Sequence, residues 1–290
     1  MKIDPRCVHC LLSRVHYQAM LLTDDTDTIN RAVMAGLDAL HRTYRQGEPA
    51  ARISTAVHRS AYRAMGDRDP YREKKKLSRR LAVELMPLAR SLVGDEVSEE
   101  HFRRAVVAAT IGNTLDFGVD GFDVNEQHFE AEFRRLFDGG LDVDDTGRLI
   151  HLLDDVVYIA DNSGEVLLDT LVLEQIRGMG GKVTLVVRGA PMLNDATIED
   201  VEIHGIEAQV DRVLTTGSNA IGVCLDEAPS ELVEAFEGAS LIISKGMANY
   251  ETMSEYGYRP IAYLLRTKCQ AVADDMGLDT DMLVAKLVEQ

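Results

Sequence analysis

The chain has 290 residues, a formal net charge of −17, 46% hydrophobic and 27% charged residues, the make-up of an ordinary globular protein. It is long enough to bury a core without disulfide or metal staples, and long enough for two domains, or one domain and a cap. No stretch reaches the uncharged apolar run of about 18 to 20 residues that a membrane span needs, so no membrane partner is expected. The opening Met1-Lys2-Ile3-Asp4-Pro5-Arg6 lacks the apolar core of a secretory signal, and the expected location is cytoplasmic. The acidity is uneven: residues 1–150 hold 22 basic and 24 acidic side chains, residues 151–290 hold 9 and 24. An acidic surface repels a phosphate backbone, so nucleic acid is not an expected partner.

In chain order, the first half reads as helices. Val8, Leu11, Leu12, Val15, Ala19 and Leu22 recur at i, i+3, i+4 and i+7 spacing, an amphipathic helix over about 7–22. Helical patterns follow at 27–44, 51–65, 71–93, 98–113 and 125–137, several of them separated by Gly47-Glu48-Pro49, Gly66-Asp67 and Gly94-Asp95. No strand pattern is found before about residue 150, and Gly139-Gly140 with the acidic run Asp142 to Asp145 reads as a link. Short β-branched runs then appear at 156–159, 183–187, 241–243 and 261–265, with a weaker one at Val213-Leu214 and helical patterns between them. That alternation implies βαβ units and a parallel sheet. The predicted fold class is α/β: a helical domain over 1–145, then a doubly wound, mostly parallel sheet domain over 146–290. Gly178-Met179-Gly180-Gly181 precedes a strand and reads as a helix C-terminus, not a dinucleotide loop.

In an open α/β sheet, ligands bind beyond the carboxyl ends of the strands. Here those ends carry Asp161-Asn162-Ser163-Gly164-Glu165, then Arg188-Gly189-Ala190-Pro191 with Asn194-Asp195, then Thr216-Gly217-Ser218-Asn219, then Lys245-Gly246 with Asn249. Asp161, Asn162 and Asp195 are oxygen donors of the kind that select Mg²⁺ or Mn²⁺, with Co²⁺ and Ni²⁺ as alternatives. Gly164 at a helix start suits phosphate, and Lys245 adds a positive charge, so the set is equipped for phosphoryl chemistry. Simpler roles exist for each. Asp161-Asn162 can be a turn or helix cap, Asp195 can cap a helix starting near Ala196, and Glu165 can complement a helix dipole.

Together these segments resemble the damage-control phosphatase family, long called domain of unknown function 89, and in particular its shorter microbial branch. The resemblance covers nearly the whole chain. It rests on Asp161-Asn162-x-Gly164-Glu165-x-x-x-Asp169, on Arg188-Gly189-x-Pro191-x-x-Asn194-Asp195-Ala196-Thr197, and on Lys245-Gly246-x-x-Asn249-Tyr250-Glu251. Cys7-x-x-Cys10, Asp69-Pro70-Tyr71 and Gly112-Asn113-x-x-Asp116-Phe117-Gly118 are further branch features. The chain departs from the branch pattern at Asn219, where Asp is expected, and at Met247-Ala248, where Gln-Gly is expected.

The resemblance implies a Rossmann-like second half and a phosphatase dependent on a divalent metal (Mn, Mg, Co or Ni), acting on small phosphorylated metabolites in a house-cleaning role. It assigns the metal to Asp161, Asn162 and Asp195. Phosphate contacts fall to Gly164, Glu165, Arg188, Lys245, Gly246 and Asn249, with Asn113 and Asp116 reaching in from the helical half. Asp161 or Asp116 would polarise an attacking water, with attack by Asp161 itself as the alternative, and Lys245 would stabilise charge on the transferring group. Two other function classes stay open: a non-catalytic metal or phosphometabolite binder using the same rim, and a carboxyl methyltransferase, an activity proposed within the broad family. The latter would need a glycine-rich loop where Asp161-Asn162-Ser163-Gly164 stands.

Two remaining signals have plain readings. Cys7 and Cys10, at i, i+3, share a helix face, and no matching second pair supports a zinc site. The basic run Arg72, Lys74, Lys75, Lys76, Arg79 and Arg80 reads as a solvated helix face, with Lys75 the member placed for a substrate contact.

Overall fold

Caps and glycine stops set the helices of the first half. In the computed structural model, which describes residues 1–113 and 126–289, these are α1 (Cys7–Met20), α2 (Thr26–Thr43), α3 (Ala50–Met65), α4 (Arg72–Val93), α5 (Glu99–Gly112) and α6 (Glu126–Gly139). Asp25 accepts from Thr28 N at 3.0 Å and opens α2, while Ser98 accepts from His101 N at 3.3 Å and opens α5. Gly66 ends α3 at φ +72°, a left-handed conformation that glycine adopts without strain. Each helix lies within a few residues of its predicted span.

The remainder runs β1 (Val143–Asp144), the one-turn α7 (Thr146–Leu149), β2 (Asp155–Ile159), α8 (Glu165–Gly178), β3 (Lys182–Val187), α9 (Ile198–His204), β4 (Arg212–Thr215) and α10 (Ser230–Gly238). It continues through β5 (Leu241–Lys245), α11 (Gly246–Tyr256), β6 (Ile261–Arg266), α12 (Gln270–Met276) and β7 (Leu283–Val288). The strands form one sheet in the order β1-β7-β6-β5-β2-β3-β4, parallel except where β7 runs antiparallel to β6. The expectation of no strand before residue 150 is corrected by β1, which pairs through Val143 and Asp144 with Val284 and Ala285. Two residues carry no readable period, and their partner lies at the far end of the chain. Gly178 closes α8, as the sequence implies.

Alternation along the central strands divides the core. Val156 and Tyr158 point into an apolar cluster with α4, α5 and α8, and Val157 and Ile159 into one with α1, α2, α3 and α11. Both clusters contain residues from each side of position 145, so the first five helices pack directly on or around the sheet. Helix α5 is buried on every side from Ala105 to Gly112, which explains its run of alanine and valine. Among the described residues no helix is long and apolar enough to cross a membrane.

The chain winds outward from β2 through β3 to β4, then returns past β2 to add β5 and β6, which places the switch point between β2 and β5. Gly164, just before α8, sits where a Cβ would lie 2.2 Å from Ser78 Oγ and 2.5 Å from Ser78 O. The glycine lets α4 cross the start of α8. Gly164→Ala is therefore expected to destabilise the fold by about 1–3 kcal/mol, read as a lower urea midpoint at unchanged m-value. An unchanged midpoint would show that this crossing has slack.

Candidate active site

Backbone hydrogen bonds lace the loops after β2 and β3. Ala160 N donates to Val186 O at 2.9 Å, Ala196 N to Asp161 O at 2.8 Å, and Ser163 N to Asn194 O at 2.9 Å. An isolated bridge pairs Asn162 with Asp195. Asp161, Asn162, Asn194 and Asp195 thus lie side by side, and all four line a cavity of about 460 Å³. Asp195 does not cap the following helix. That cap is Thr197, in a reciprocal capping box with Asp200, which leaves the Asp195 side chain to the rim.

Beneath the rim, two carboxamides bridge two carboxylates. Asn113 Nδ2 donates to Asp161 Oδ2 and Glu165 Oε2, both at 2.9 Å. Asn162 Nδ2 donates to the same two oxygens at 3.0 and 2.7 Å. With both amide hydrogens of Asn162 engaged, its Oδ1 remains the atom it can offer a cation. The Asp161 carboxylate lies against Gly246, the first residue of α11. A Cβ there would meet Asp161 Oδ2 at 1.9 Å, so the position requires glycine, and the positive end of the helix faces the carboxylate.

Lys245 lies fully buried below this layer. Its ammonium donates to Glu165 Oε1 and Asp169 Oδ1, both at 2.5 Å, and to Ala109 O at 3.0 Å, which uses all three of its protons. Tyr158 Oη donates to the same Asp169 oxygen at 2.8 Å. Burial alone would depress the lysine, but Asp169 and Glu165 outweigh it and hold it up at about 12. Burial, reinforced by the Glu165 charge, lifts Asp169 to about 6 against the pull of Lys245.

The hydrogen bonds place several of the expected phosphate contacts in a buried network. Lys245 does not face the cavity, because a buried ammonium takes the nearest carboxylates before any ligand. Glu165 is likewise committed below the rim. Arg188, also buried, donates through Nε to Asp195 Oδ2 at 2.6 Å and through a terminal nitrogen to Asn249 Oδ1 at 3.4 Å. Asn249 Nδ2 spends its protons on Ala160 O and Lys245 O. Gly164 faces Ser78, and Gly246 faces Asp161. Asn113, Asn162 and Arg188 thus hydrogen-bond the carboxylates of Asp161 and Asp195, and Arg188 keeps one terminal nitrogen buried without a partner among the described residues. Asp116, Phe117 and Gly118 lie outside the described residues.

The opposite wall comes from the helical half and from the end of β6. Cys7, Cys10, Leu11 and Arg14 of α1 and Ser54 and His58 of α3 line the cavity, with Glu251 of α11. Lys268 and Cys269, after β6, complete it. Lys268 Nζ donates to Asn113 O at 2.6 Å, which makes it the cavity-lining lysine of the rim, a role the sequence reading gave to Lys245. Applying the strand-end rule to a fifth strand would have found it. Met247 and Ala248, which depart from the branch pattern, also line the cavity. Asn219, the other departure, accepts from Arg59 Nε at 2.8 Å, outside it.

Burial holds His58 down at about 3, hence neutral, against Gln18. It pushes the Cys7 thiol up to about 11 and Cys10 in the same direction, so both stay protonated near neutral pH. The basic run divides: Lys75 is buried 2.8 Å from Asp69, and Arg79 is buried against Asp200 at 2.7 Å. Arg72, Lys76 and Arg80 remain exposed. Lys75 and Arg79 fall at i, i+4 on the inward stripe of α4.

Among the described residues no three His, Cys, Asp or Glu side chains are arranged to hold a metal ion. The rim's oxygen donors are instead two carboxylates, Asp161 and Asp195, with two carboxamides, Asn162 and Asn194, a set whose chemistry fits a hard divalent cation and not a soft one.

A doubly wound α/β protein with an oxygen-rich pocket at its switch point is the class that this fold and rim define. Comparison with known proteins makes it narrower. The damage-control phosphatase ARMT1-like domain matches residues 3–284. A protein of Archaeoglobus fulgidus named a damage-control phosphatase is 42% identical over 290 residues, covering 100% of both chains. Another so named, from Pyrococcus horikoshii, is 31% identical over 288 residues, covering 98% of this chain and 97% of its own. The crystal structure of a DUF89 family protein from Pyrococcus horikoshii aligns with a TM-score of 0.90 at 30% identity over 99% of each chain. The chain belongs to the damage-control phosphatase ARMT1-like family.

Removing the buried ammonium by Lys245→Met would leave Glu165 and Asp169 facing each other without a cation. The expected loss is about 3–5 kcal/mol at pH 7, partly recovered on acidification as the carboxylates protonate. Thermal melts between pH 5 and 8 would read it, and a pH-independent loss would contradict the assignment. Glu251 is a second titrating group: burial lifts it from 4.5 to about 7, with the N-terminal amine opposing. A raised carboxyl favours the folded state below its unfolded value, and that advantage disappears as pH rises through the folded one. Glu251→Gln should match the wild-type stability below about pH 4.5 and exceed it by about 3 kcal/mol well above pH 7. Parallel stability curves at all pH values would refute the burial effect.

Proposed function

We propose that the protein hydrolyses phosphomonoesters of small metabolites, with a divalent cation held by Asp161, Asn162 and Asp195, in the clearing of damaged or surplus phosphorylated compounds. The observation that carries the reading is the lacing of the β2 and β3 loops, which puts two carboxylates and two carboxamides side by side in one cavity that Lys268 also lines. Family membership, and relatives named as damage-control phosphatases, support the reaction class.

When bound, a divalent cation supplies Lewis-acid polarisation of a phosphoryl oxygen. The chain's own groups do the rest. Asn113 and Asn162 hold the Asp161 carboxylate by its Oδ2, so it meets the phosphoryl group in one orientation. Arg188 fixes Asp195 in the same way. Lys268 is placed to offset charge on the transferring phosphoryl group. The remaining lining, which includes Cys7, His58, Met247 and Glu251, would contact the rest of the metabolite.

The test uses metal-stripped protein with p-nitrophenyl phosphate and a panel of sugar phosphates, adding back Mg²⁺, Mn²⁺, Co²⁺ and Ni²⁺ separately. Cation-restored turnover is expected, and Asp161→Ala should lower it by about a hundredfold or more while the circular dichroism spectrum stays that of the wild type. Folded protein inactive with every cation would overturn the reading in favour of a binding module.

A further inference from the structure

A second cavity, of about 640 Å³, opens on the same carboxyl edge of the sheet, on the far side of the 188–197 loop. Arg59, Arg63 and Arg68, at the end of α3 and just beyond it, form one wall, and Ala190, Pro191 and Asn219 form the other. Most surface arginines of this acidic chain meet a carboxylate, and Arg59 does, holding Glu227 through two nitrogens at 2.8 and 2.6 Å. Arg63 and Arg68 do not. Among the described residues Arg63 donates only to Ser60 Oγ, at 3.0 Å, and Arg68 makes no hydrogen bond or ion pair. Asp67, the acidic residue of the lining, is engaged by Arg72 and by Asp69 N. In a chain of net charge −17, two uncompensated guanidinium groups at the mouth of a cavity focus positive potential there. The planar fork of arginine suits phosphate, and the volume lies in the range of small-molecule sites.

We infer that this groove is a second anion site, which binds a small metabolite carrying two or more phosphate charges through Arg63 and Arg68. The occupant would lean on Ala190 and Pro191, in the loop that carries Asn194 and Asp195 into the main cavity. That loop is pinned to α3 by Tyr62, whose hydroxyl accepts from Leu193 N at 3.0 Å, while Met192 packs in a cluster with Tyr62 and Ile221. Helix α3 and the turn that follows it therefore carry both the arginine wall and the anchor of the loop that bears Asp195.

This inference does not rest on the phosphatase reading, and its test runs with cations chelated. The probe is inorganic pyrophosphate, titrated by calorimetry in EDTA into the wild type, Arg63→Glu/Arg68→Glu, Lys268→Ala, and the charge-matched control Arg42→Glu/Arg52→Glu. All four arginines are exposed, so folding should survive and is checked by circular dichroism. Saturable binding is expected to weaken by about tenfold or more in Arg63→Glu/Arg68→Glu and by no more than about twofold in the control and in Lys268→Ala. Absence of binding to the wild type would overturn the inference. So would equal weakening in both double variants, or a loss that follows Lys268→Ala while the arginine pair has no effect.

Discussion

A lysine ammonium with no access to water organises the centre of this molecule. Lys245, at the end of β5, can be buried only because Glu165 and Asp169 of α8 and the Ala109 carbonyl of α5 accept all its protons. Desolvating three charges is unfavourable, and their mutual attraction with the Tyr158 and Asn113 donors offsets it, leaving only Asp169 Oδ2 of these carboxylate oxygens without a hydrogen-bond partner among the described residues. One ion thereby ties two strands and two helices together at the switch point. Glu165 is also the oxygen that Asn113 and Asn162 share with Asp161. The position of the rim carboxylate is thus inherited from the buried network beneath it.

The charge balance of this layer bears on its chemistry. Asp161, Glu165 and Asp169 lie within one connected network that contains a single lysine, while Arg188 is matched to Asp195. A pocket so supplied with carboxylate has an electrostatic reason to recruit a cation and, without one, to repel phosphate. Arg6, Arg14 and Lys268, which also line the cavity, supply its positive groups. On the proposed reading, cation and phosphoryl group would bind together, met by the strand-end oxygens and by Lys268.

The helical half supplies the other part of the site. Helices α1 and α3 wall the cavity with Cys7, Cys10, Leu11, Arg14, Ser54 and His58, and α5 ends in Asn113. Because α4 and α5 share one apolar cluster with the sheet and α1 to α3 share the other, these walls are fixed by the same burial that stabilises the strands. The thiols at Cys7, half-buried, and Cys10, exposed, are protonated and line the cavity wall.

How much was legible in advance follows from what is local. Helix spans, the central strands, and the presence of Asp161, Asn162 and Asp195 at strand ends follow from periodicity and chain order, which are properties of neighbouring residues. The short β1 depends on a partner some 140 positions away, and no local pattern announces it. Which lysine lines the cavity and which is buried was also beyond the sequence. Lys245 and Lys268 both follow strands, yet only the approach of α5 and α8 makes the first a structural ion and leaves the second on the cavity. Gly164 and Gly246 show the same division: the sequence marks places where a side chain cannot fit, and only the fold says that Ser78 and Asp161 fill the space. Sequence alone determined the elements and the donor chemistry; tertiary packing decided which donors face the ligand, because burial forces each charge to choose a partner.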